Sequence, residues 1–208
     1  SDDRYQINVK DIKKVITKKT KVILPVHWGG ASPNMKEIVK IAKSKNIKVL
    51  EDACMGIGGK LYNKSPGTFG DISAMSMHPL KSLNVMGDGG MIITNNTRLA
   101  NWIRKYRNHG MRDRDHIDFW GVNIRLQPLQ AVVADIELKK VNNIIKKRNY
   151  NAQFLDKELS KIDKVKLPKR LKENTETFAL YMARFKNIDK LKLFLIKNGI
   201  DVKIHYPI

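Results

Sequence analysis

The 208-residue chain is poor in several features that would place it in a particular class of protein. Its single cysteine, Cys54, allows no disulfide within the chain, so a reducing, cytoplasmic setting is expected. No apolar run is long enough to span a bilayer, and residues 1–4 show no apolar signal segment. Aromatic residues make up only 7%, without the basic, aromatic platform of RNA-binding proteins. We therefore expect no membrane and no nucleic acid as partner.

Acidic residues are also scarce relative to basic ones: 20 Asp and Glu stand against 40 Lys and Arg, a formal net charge of +20. Such a balance suits a polyanion, a membrane surface or acidic small molecules. The lysines, however, are scattered along expected helical faces, and purely basic runs are as short as Lys146-Lys147-Arg148. We expect mostly solvated lysine faces, and a basic polyanion-binding surface stays open as an alternative.

Apolar periodicity predicts a strand–helix–strand unit in the first quarter of the chain. Residues 21–27 form a buried strand in this interpretation, and a helix begins at Ser32-Pro33, with Ser32 as its N-cap. The helix ends near Asn46, and residues 47–51 form the next strand. Such a unit is right-handed and implies a parallel sheet.

The remaining pattern predicts a mixture of strands and helices followed by a change in composition near residue 145. Strands are expected at 71–77, 90–94, 177–184 and 202–206, helices at 9–17, 97–107 and 189–198, and a longer helix from Pro128 that continues, with a kink or break, to Leu159. We predict a large domain over residues 1–145 and a smaller α+β domain over residues 146–208.

Three features fall near strand ends, where open α/β sheets bind ligands. Asp52 follows an apolar strand, where an acid can keep a pyridine ring protonated or simply cap a helix. Lys81 follows another strand and can act as an amine nucleophile, although one lysine after a strand is also expected by chance, and Ser76 can donate to a phosphate. The run Gly87-Asp88-Gly89-Gly90 fits a tight turn that shapes the surroundings of the lysine.

The order and spacing of these motifs strongly resemble one family, the pyridoxal-phosphate (PLP)-dependent sugar aminotransferases of the DegT type. That family has an Asp-Ala-Ala/Cys-Gln run, a Ser-Phe-x-x-x-Lys run and a Gly-Asp/Glu-Gly-Gly turn in this order. Further segments that match its pattern are Pro25-Val26-His27, Arg107-Asn108-His109-Gly110, Asn123-Ile124-Arg125-Leu126, Leu129-Gln130-Ala131, Gly199-Ile200 and His205-Tyr206-Pro207.

The resemblance implies an α/β fold of the type I PLP-dependent transferases (aspartate aminotransferase-like), with a mostly parallel sheet in the large domain and a partial α+β small domain. It implies pyridoxal 5'-phosphate as cofactor, with Asp52 facing the ring nitrogen, Ser76 the phosphate and the catalytic Lys81 the aldehyde carbon. Asn123 would reach the phosphate of a neighbouring subunit's cofactor, which implies a homodimer with shared active sites. Met55 stands where the family usually has Gln or His near the ring oxygen, and methionine cannot donate a hydrogen bond there.

The activity implied is a ping-pong transfer of an amino group, from L-glutamate, to a keto group of a nucleotide-linked sugar, with Lys81 forming a Schiff base and moving the proton. One alternative is a PLP-dependent sugar dehydratase, in which histidine replaces the lysine, so Lys81 argues against it. Another is a non-catalytic fragment or partner subunit with a basic polyanion-binding surface. The family's early Gly-Thr-x-Ala segment and upstream aromatic are missing, and the chain ends at Ile208, before the family's last helix. We therefore expect both domains to be incomplete and the chain alone to bind PLP poorly.

Two other observations bear on the site. The histidines and Cys54 do not form a metal-ligand spacing, so no metal is expected, and His27 is expected to be a buried strand-end residue held by hydrogen bonds. Trp120 lies in a charged loop, where stacking on a sugar or base and packing in the core are both open.

Overall fold

The computed structural model describes residues 1–204, and a four-stranded sheet in the order β1-β2-β4-β5 positions the site. The strands are β1 (Val22–Ile23), β2 (Lys48–Asp52), β3 (Lys60–Leu61), β4 (Ile72–Ser76), β5 (Gly90–Ile93), β6 (Val165–Lys166), β7 (Asn174–Thr175) and β8 (Arg184–Phe185). The helices are α1 (Val9–Val15), α2 (Met35–Ser44), α3 (Thr97–Tyr106), α4 (Pro128–Leu138), α5 (Val141–Leu159) and α6 (Ile188–Lys197).

The sheet is parallel from β1 through β2 to β4, and β5 runs antiparallel at its edge. In the register, Asp52 pairs with Ala74 and Ser76 pairs with Gly90. Asp52 and Ser76 thus occupy the carboxyl ends of two adjacent parallel strands, where α/β sheets bind ligands. The predicted mostly parallel α/β sheet is confirmed.

Helix α2 packs one apolar stripe against the sheet, and its buried side chains Met35, Ile38, Ile41 and Ala42 recur at helical spacing. They join Ile23 of β1 and Val49 of β2 in one hydrophobic cluster. The predicted helix start at Ser32-Pro33 is wrong, because the N-cap is Asn34, whose side-chain oxygen accepts from the Glu37 N–H at 3.2 Å. Ser32 is instead buried beside His27.

A second hydrophobic cluster joins α5 to the segment after β4. Val141 and Ile145 of α5 pack with Met77, Leu83 and Val85. The predicted break in the long helix is confirmed, since α4 ends at Leu138 and α5 begins at Val141. Helix α5 runs uninterrupted through residue 145, and the division into domains at that point stays a prediction.

The predicted strand over 177–184 is wrong except at its last residue, where β8 begins. The backbone N–H groups of Thr177 and Leu180 donate to Gly30 O (3.0 Å) and Gly29 O (3.2 Å). Because these N–H groups bond to a turn, they are not available to pair with a neighbouring strand. Phe178 has φ 44°, which interrupts extended backbone.

The end of the predicted strand over 202–206 lies outside the described residues, as does the His205-Tyr206-Pro207 segment, and residues 202–204 form no strand. Within residues 1–204, no helix has the length and apolar character that a membrane crossing requires.

Candidate active site

Asp52 ends β2 and turns its carboxylate toward the following loop. Its backbone N–H donates to Pro25 O and its carbonyl accepts from the His27 N–H, both at 2.9 Å, which fixes the strand end. Its Oδ1 accepts from the Cys54 N–H at 3.1 Å. Among residues 1–204, no cationic side chain lies within 4.0 Å of this half-buried carboxylate, which is therefore free to interact with a ligand cation.

Glu51, the residue before Asp52, is fully buried and ties the end of β2 to the loop over residues 67–70. Its Oε2 accepts from His27 Nε2 (2.9 Å) and the Gly67 N–H (2.8 Å), and its Oε1 accepts from the backbone N–H groups of Phe69 and Gly70 (2.6 Å each). Burial opposes ionisation, but the hydrogen bonds from His27, Gly70 and Gly67 outweigh it and lower the pKa of Glu51.

His27 completes this buried arrangement, as the sequence predicted. Its Nδ1 lies 3.0 Å from Ser32 Oγ, and its Nε2 meets Glu51. Neither His27 nor Ser32 is accessible to solvent, so this Ser–His–Glu chain serves the structure of the strand ends rather than a reaction.

Lys81 lies in a loop between β4 and β5 that is anchored at both ends. The Met77 N–H donates to Gly89 O (2.8 Å), the Val85 N–H donates to Met77 O (3.2 Å), and the Lys81 N–H donates to His78 O (2.8 Å). The half-buried Lys81 side chain makes no ion pair with any carboxylate of the described part of the chain. An anchored loop thus carries an amine that is not engaged by an acid.

Helix α5 supports the lysine loop from a second direction. Arg148 donates from Nη1 to Ser82 Oγ at 2.9 Å, and Ser82 directly follows Lys81. Burial lowers the pKa of the Arg148 guanidinium, which has no carboxylate partner in the part of the chain that the structure describes.

Cys54 lies beside the end of β2: its N–H donates to Asp52 Oδ1, and its Sγ lies 3.8 Å from Ala74 O of β4. Burial and the Asp52 carboxylate raise the pKa of the Cys54 thiol to about 11, while Lys81 and a backbone hydrogen bond from Ser76 oppose this increase. The ends of β2 (Asp52) and β4 (Ser76) are adjacent in the sheet, and Lys81 lies in the loop that follows β4, so the structure brings these three of the five predicted residues to the same edge of the sheet.

Ser76 places its hydroxyl at the end of β4. Its Oγ accepts from the His78 N–H at 3.2 Å, so the hydroxyl hydrogen is available for another acceptor. The glycine run forms a bend that leads into β5: Gly87 has φ 154°, and a Cβ on Gly90 would lie 2.9 Å from Met75 O.

The other two predicted residues occupy different positions. Met55 is half-buried in the loop after Asp52, and its carbonyl accepts from Thr177 Oγ1 at 2.6 Å. Asn123 is exposed and forms an isolated antiparallel β-bridge with Asn108. Its predicted role toward a neighbouring subunit stays a prediction.

Sequence reasoning missed Glu51, Arg148 and Thr177 as residues that support the site. A signal for Glu51 was present, because period-2 alternation along β2 places it on the same face as the buried Val49. Nothing in the pattern points to Thr177, since its contacts are with loops more than 100 residues earlier.

The family model described as the DegT/DnrJ/EryC1/StrS aminotransferase family matches residues 1–208, and the chain belongs to this family. It is 33% identical over 208 residues to the UDP-N-acetyl-3-dehydro-alpha-D-glucosamine 3-aminotransferase of Acidithiobacillus ferrooxidans, covering 100% of this chain and 56% of that protein. The chain thus spans little more than half the length of such relatives.

Solved structures agree with this assignment. DesV of Streptomyces venezuelae superposes with a TM-score of 0.95 at 29% identity, covering 99% of this chain and 56% of DesV. NtdA of Bacillus subtilis, solved with bound cofactor PMP, superposes with a TM-score of 0.88 at 29% identity, covering 99% of this chain and 48% of NtdA. The predicted fold of the DegT-type PLP-dependent aminotransferases is confirmed.

Proposed function

We propose that this chain forms the cofactor-binding core of a PLP-dependent aminotransferase that acts on a nucleotide-linked keto sugar. The observation that carries the proposal is the position of Asp52 and Ser76 at the carboxyl ends of two adjacent parallel strands, with Lys81 in the anchored loop that follows β4. Neither Asp52 nor Lys81 makes an ion pair within residues 1–204. A carboxylate and an amine at the same edge of the sheet, neither of them in an ion pair, suit a ligand that contacts both.

The three side chains fit the chemical groups of PLP. The Asp52 carboxylate suits a protonated pyridine nitrogen, the Ser76 hydroxyl hydrogen is available to a phosphate oxygen, and the Lys81 amine suits an aldehyde. Met55, which cannot donate from its side chain, leaves the ring oxygen without a partner from that position. Bound PLP supplies an electron sink for a carbanion beside the amino nitrogen.

Each residue has a distinct task in this proposal. Asp52 keeps the ring nitrogen positively charged, and the hydrogen bond from the Cys54 N–H holds its Oδ1 in place. Lys81 receives and returns a proton at Nζ. The buried Glu51 fixes the end of β2, so that Asp52 keeps its orientation.

The substrate class is inferred from relatives and charge. A relative at 33% identity is named for a UDP-linked keto sugar, and the net charge of +20 favours a diphosphate. Trp120 is 96% exposed, so it does not pack in the core of this chain and is available to stack on a sugar or base. L-Glutamate as amino donor follows from the family resemblance, and the single, free Cys54 suits a cytoplasmic location.

We also propose that the active protein is a homodimer with shared sites, in which Asn123 contacts the cofactor phosphate of the neighbouring subunit. Support comes from the exposure of Asn123 and of two apolar side chains in the lysine loop, Leu80 (81%) and Met86 (80%). Mixing Lys81→Ala and Asn123→Ala subunits should restore activity that each variant lacks, because a mixed dimer has one intact site. No restoration would contradict shared sites.

The proposed reaction is tested by incubating the full protein with PLP, L-glutamate and UDP- or dTDP-linked keto sugars and measuring 2-oxoglutarate and the amino sugar by mass spectrometry. The wild-type protein should form both products and Lys81→Ala neither. Dehydrated sugar in place of amino sugar would favour the dehydratase alternative. Absence of PLP binding together with retention on a polyanion column at physiological salt would favour a non-catalytic basic surface.

A further inference from the structure

Thr177 is fully buried, although it lies in an irregular segment far along the chain from the site. Its Oγ1 donates to the Met55 carbonyl at 2.6 Å, and its backbone N–H donates to Gly30 O at 3.0 Å. Met55 is three residues beyond Asp52, and Gly30 follows the end of β1. One threonine therefore holds two of the loops that leave the carboxyl edge of the sheet.

The two loops are shaped around this side chain. A Cβ on Gly30, which has φ 95°, would lie 2.0 Å from Thr177 Oγ1, and a Cβ on Gly59 would lie 3.0 Å from Thr177 Cγ2. Glycine at both positions leaves the space that the hydroxyl and the methyl group occupy. The hydroxyl of Thr177 thus contacts the Met55 carbonyl and its methyl group lies near Gly59. Substitutions that remove only one of the two groups can therefore test each contact by itself.

Thr177 is itself fastened by its neighbours. Asn149 of α5 donates to Glu176 O at 2.9 Å, and the buried Glu176 carboxylate pairs with Arg170 at 3.0 Å and with Arg4 at 3.8 Å. These contacts tie the residue before Thr177 to α5 and to the start of the chain. The backbone at Thr177 is therefore held in place, so its side chain can position the loops that it contacts.

We infer that Thr177 is a positioning residue for the cofactor, an inference that rests on the proposed function. Its hydroxyl fixes the Met55 carbonyl and with it the loop over residues 53–59. That loop begins with the Cys54 N–H, the group that orients the Asp52 carboxylate. Without the hydroxyl, the Met55 carbonyl loses its partner, the loop shifts, and Asp52 no longer meets the ring nitrogen at its best geometry.

The test compares Thr177→Val, which keeps the shape and the methyl group but lacks the hydroxyl, with Thr177→Ser, which keeps the hydroxyl. Thr175→Val, an exposed neighbour on β7, is the matched control. In the full protein with PLP, Thr177→Val should weaken cofactor binding by on the order of tenfold, change the wavelength of the cofactor band and lower kcat. Thr177→Ser and Thr175→Val should resemble the wild type in all three.

Hydrogen exchange of residues 53–59 in the cofactor-free protein separates this inference from the proposed function. Faster exchange in Thr177→Val than in Thr177→Ser supports positioning of the loop by the hydroxyl even if no PLP binds. Failure of the full wild-type protein to bind PLP refutes the proposed function alone. If both variants lose thermal stability but keep wild-type exchange, affinity and cofactor band, Thr177 is merely structural and the inference is wrong. Should Thr177→Val fail to fold, Thr177→Ala takes its place in the comparison.

Discussion

Replacing Glu51 with glutamine tests how strongly the carboxyl end of β2 depends on one buried carboxylate. The carboxylate accepts four hydrogen bonds, two at each oxygen. Glutamine keeps one oxygen but places an NH₂ group where the other stood. The two N–H groups that donated to the lost oxygen then have no acceptor. If the NH₂ replaces Oε1, the N–H groups of Phe69 and Gly70 lose their acceptor; if it replaces Oε2, those of His27 and Gly67 do.

A buried donor left without an acceptor costs about 1–3 kcal/mol, so two cost about 2–6 kcal/mol. His27 can reduce this loss by moving its proton to Nδ1 and accepting from the glutamine, which leaves only the Gly67 N–H unpaired. We therefore expect Glu51→Gln to lower the free energy of unfolding by an amount near the lower end of that range. The exposed Glu173→Gln is the control and should change it by less than 0.5 kcal/mol, as is typical of surface substitutions.

The assay is urea unfolding followed by circular dichroism, with all variants compared at several pH values. Because the pKa of Glu51 is lowered in the folded protein, its contribution is present above the unfolded value, about 4.3, and is lost as pH falls through the folded value. The difference between wild type and Glu51→Gln should thus be largest at neutral pH and shrink in acid. A difference below about 1 kcal/mol at pH 7 would refute the reasoning.

Three further predictions concern other parts of the chain. Burial and Asp52 raise the pKa of the Cys54 thiol to about 11, so a thiol-disulfide reagent at pH 8 should modify the folded protein much more slowly than the urea-unfolded protein, and equal rates would contradict the description of the site. Asn34→Ala removes the N-cap of α2 and should lower the free energy of unfolding in urea by about 1 kcal/mol. Asn95→Ala, at an exposed position that caps no helix, is the control, and an equal effect of the two substitutions would argue against the cap. Tyr181→Phe removes a 2.7 Å hydrogen bond to Asp156 and should lower stability by about 1 kcal/mol, and an unchanged midpoint would count against this contact.

Much of the fold follows from short-range patterns in the sequence. Apolar residues recur at helical spacing in α2 and at every second position in β2, so the parallel strand–helix–strand unit could be predicted from residues 21–51 alone. The helix start was misplaced, because Ser32-Pro33 is a good local signal while burial against His27 uses the Ser32 hydroxyl elsewhere. Both Ser32 and Asn34 are good N-cap residues, and the contact between Ser32 and His27 leaves Asn34 as the cap.

The site was predictable where motif residues adjoin strands and unpredictable where support comes from afar. Asp52, Ser76 and Lys81 each follow or end a strand, so sheet topology alone brings them to one edge. Thr177 and Arg148 reach the same region across long stretches of sequence, and no periodicity encodes such contacts. The strand predicted over 177–184 failed for the same reason, since its hydrogen bonds go to a turn.

The central claim is that Lys81, among many lysines, holds the cofactor. The measurement that tests it most directly is borohydride reduction of the full protein with added PLP, followed by digestion and mass spectrometry of the labelled peptides, with Lys81→Ala as control. The account predicts an absorbance band near the visible edge and a cofactor-sized mass increase on the peptide that contains Lys81, both absent from the variant. Label spread over exposed lysines, or an equal amount in Lys81→Ala, would contradict it.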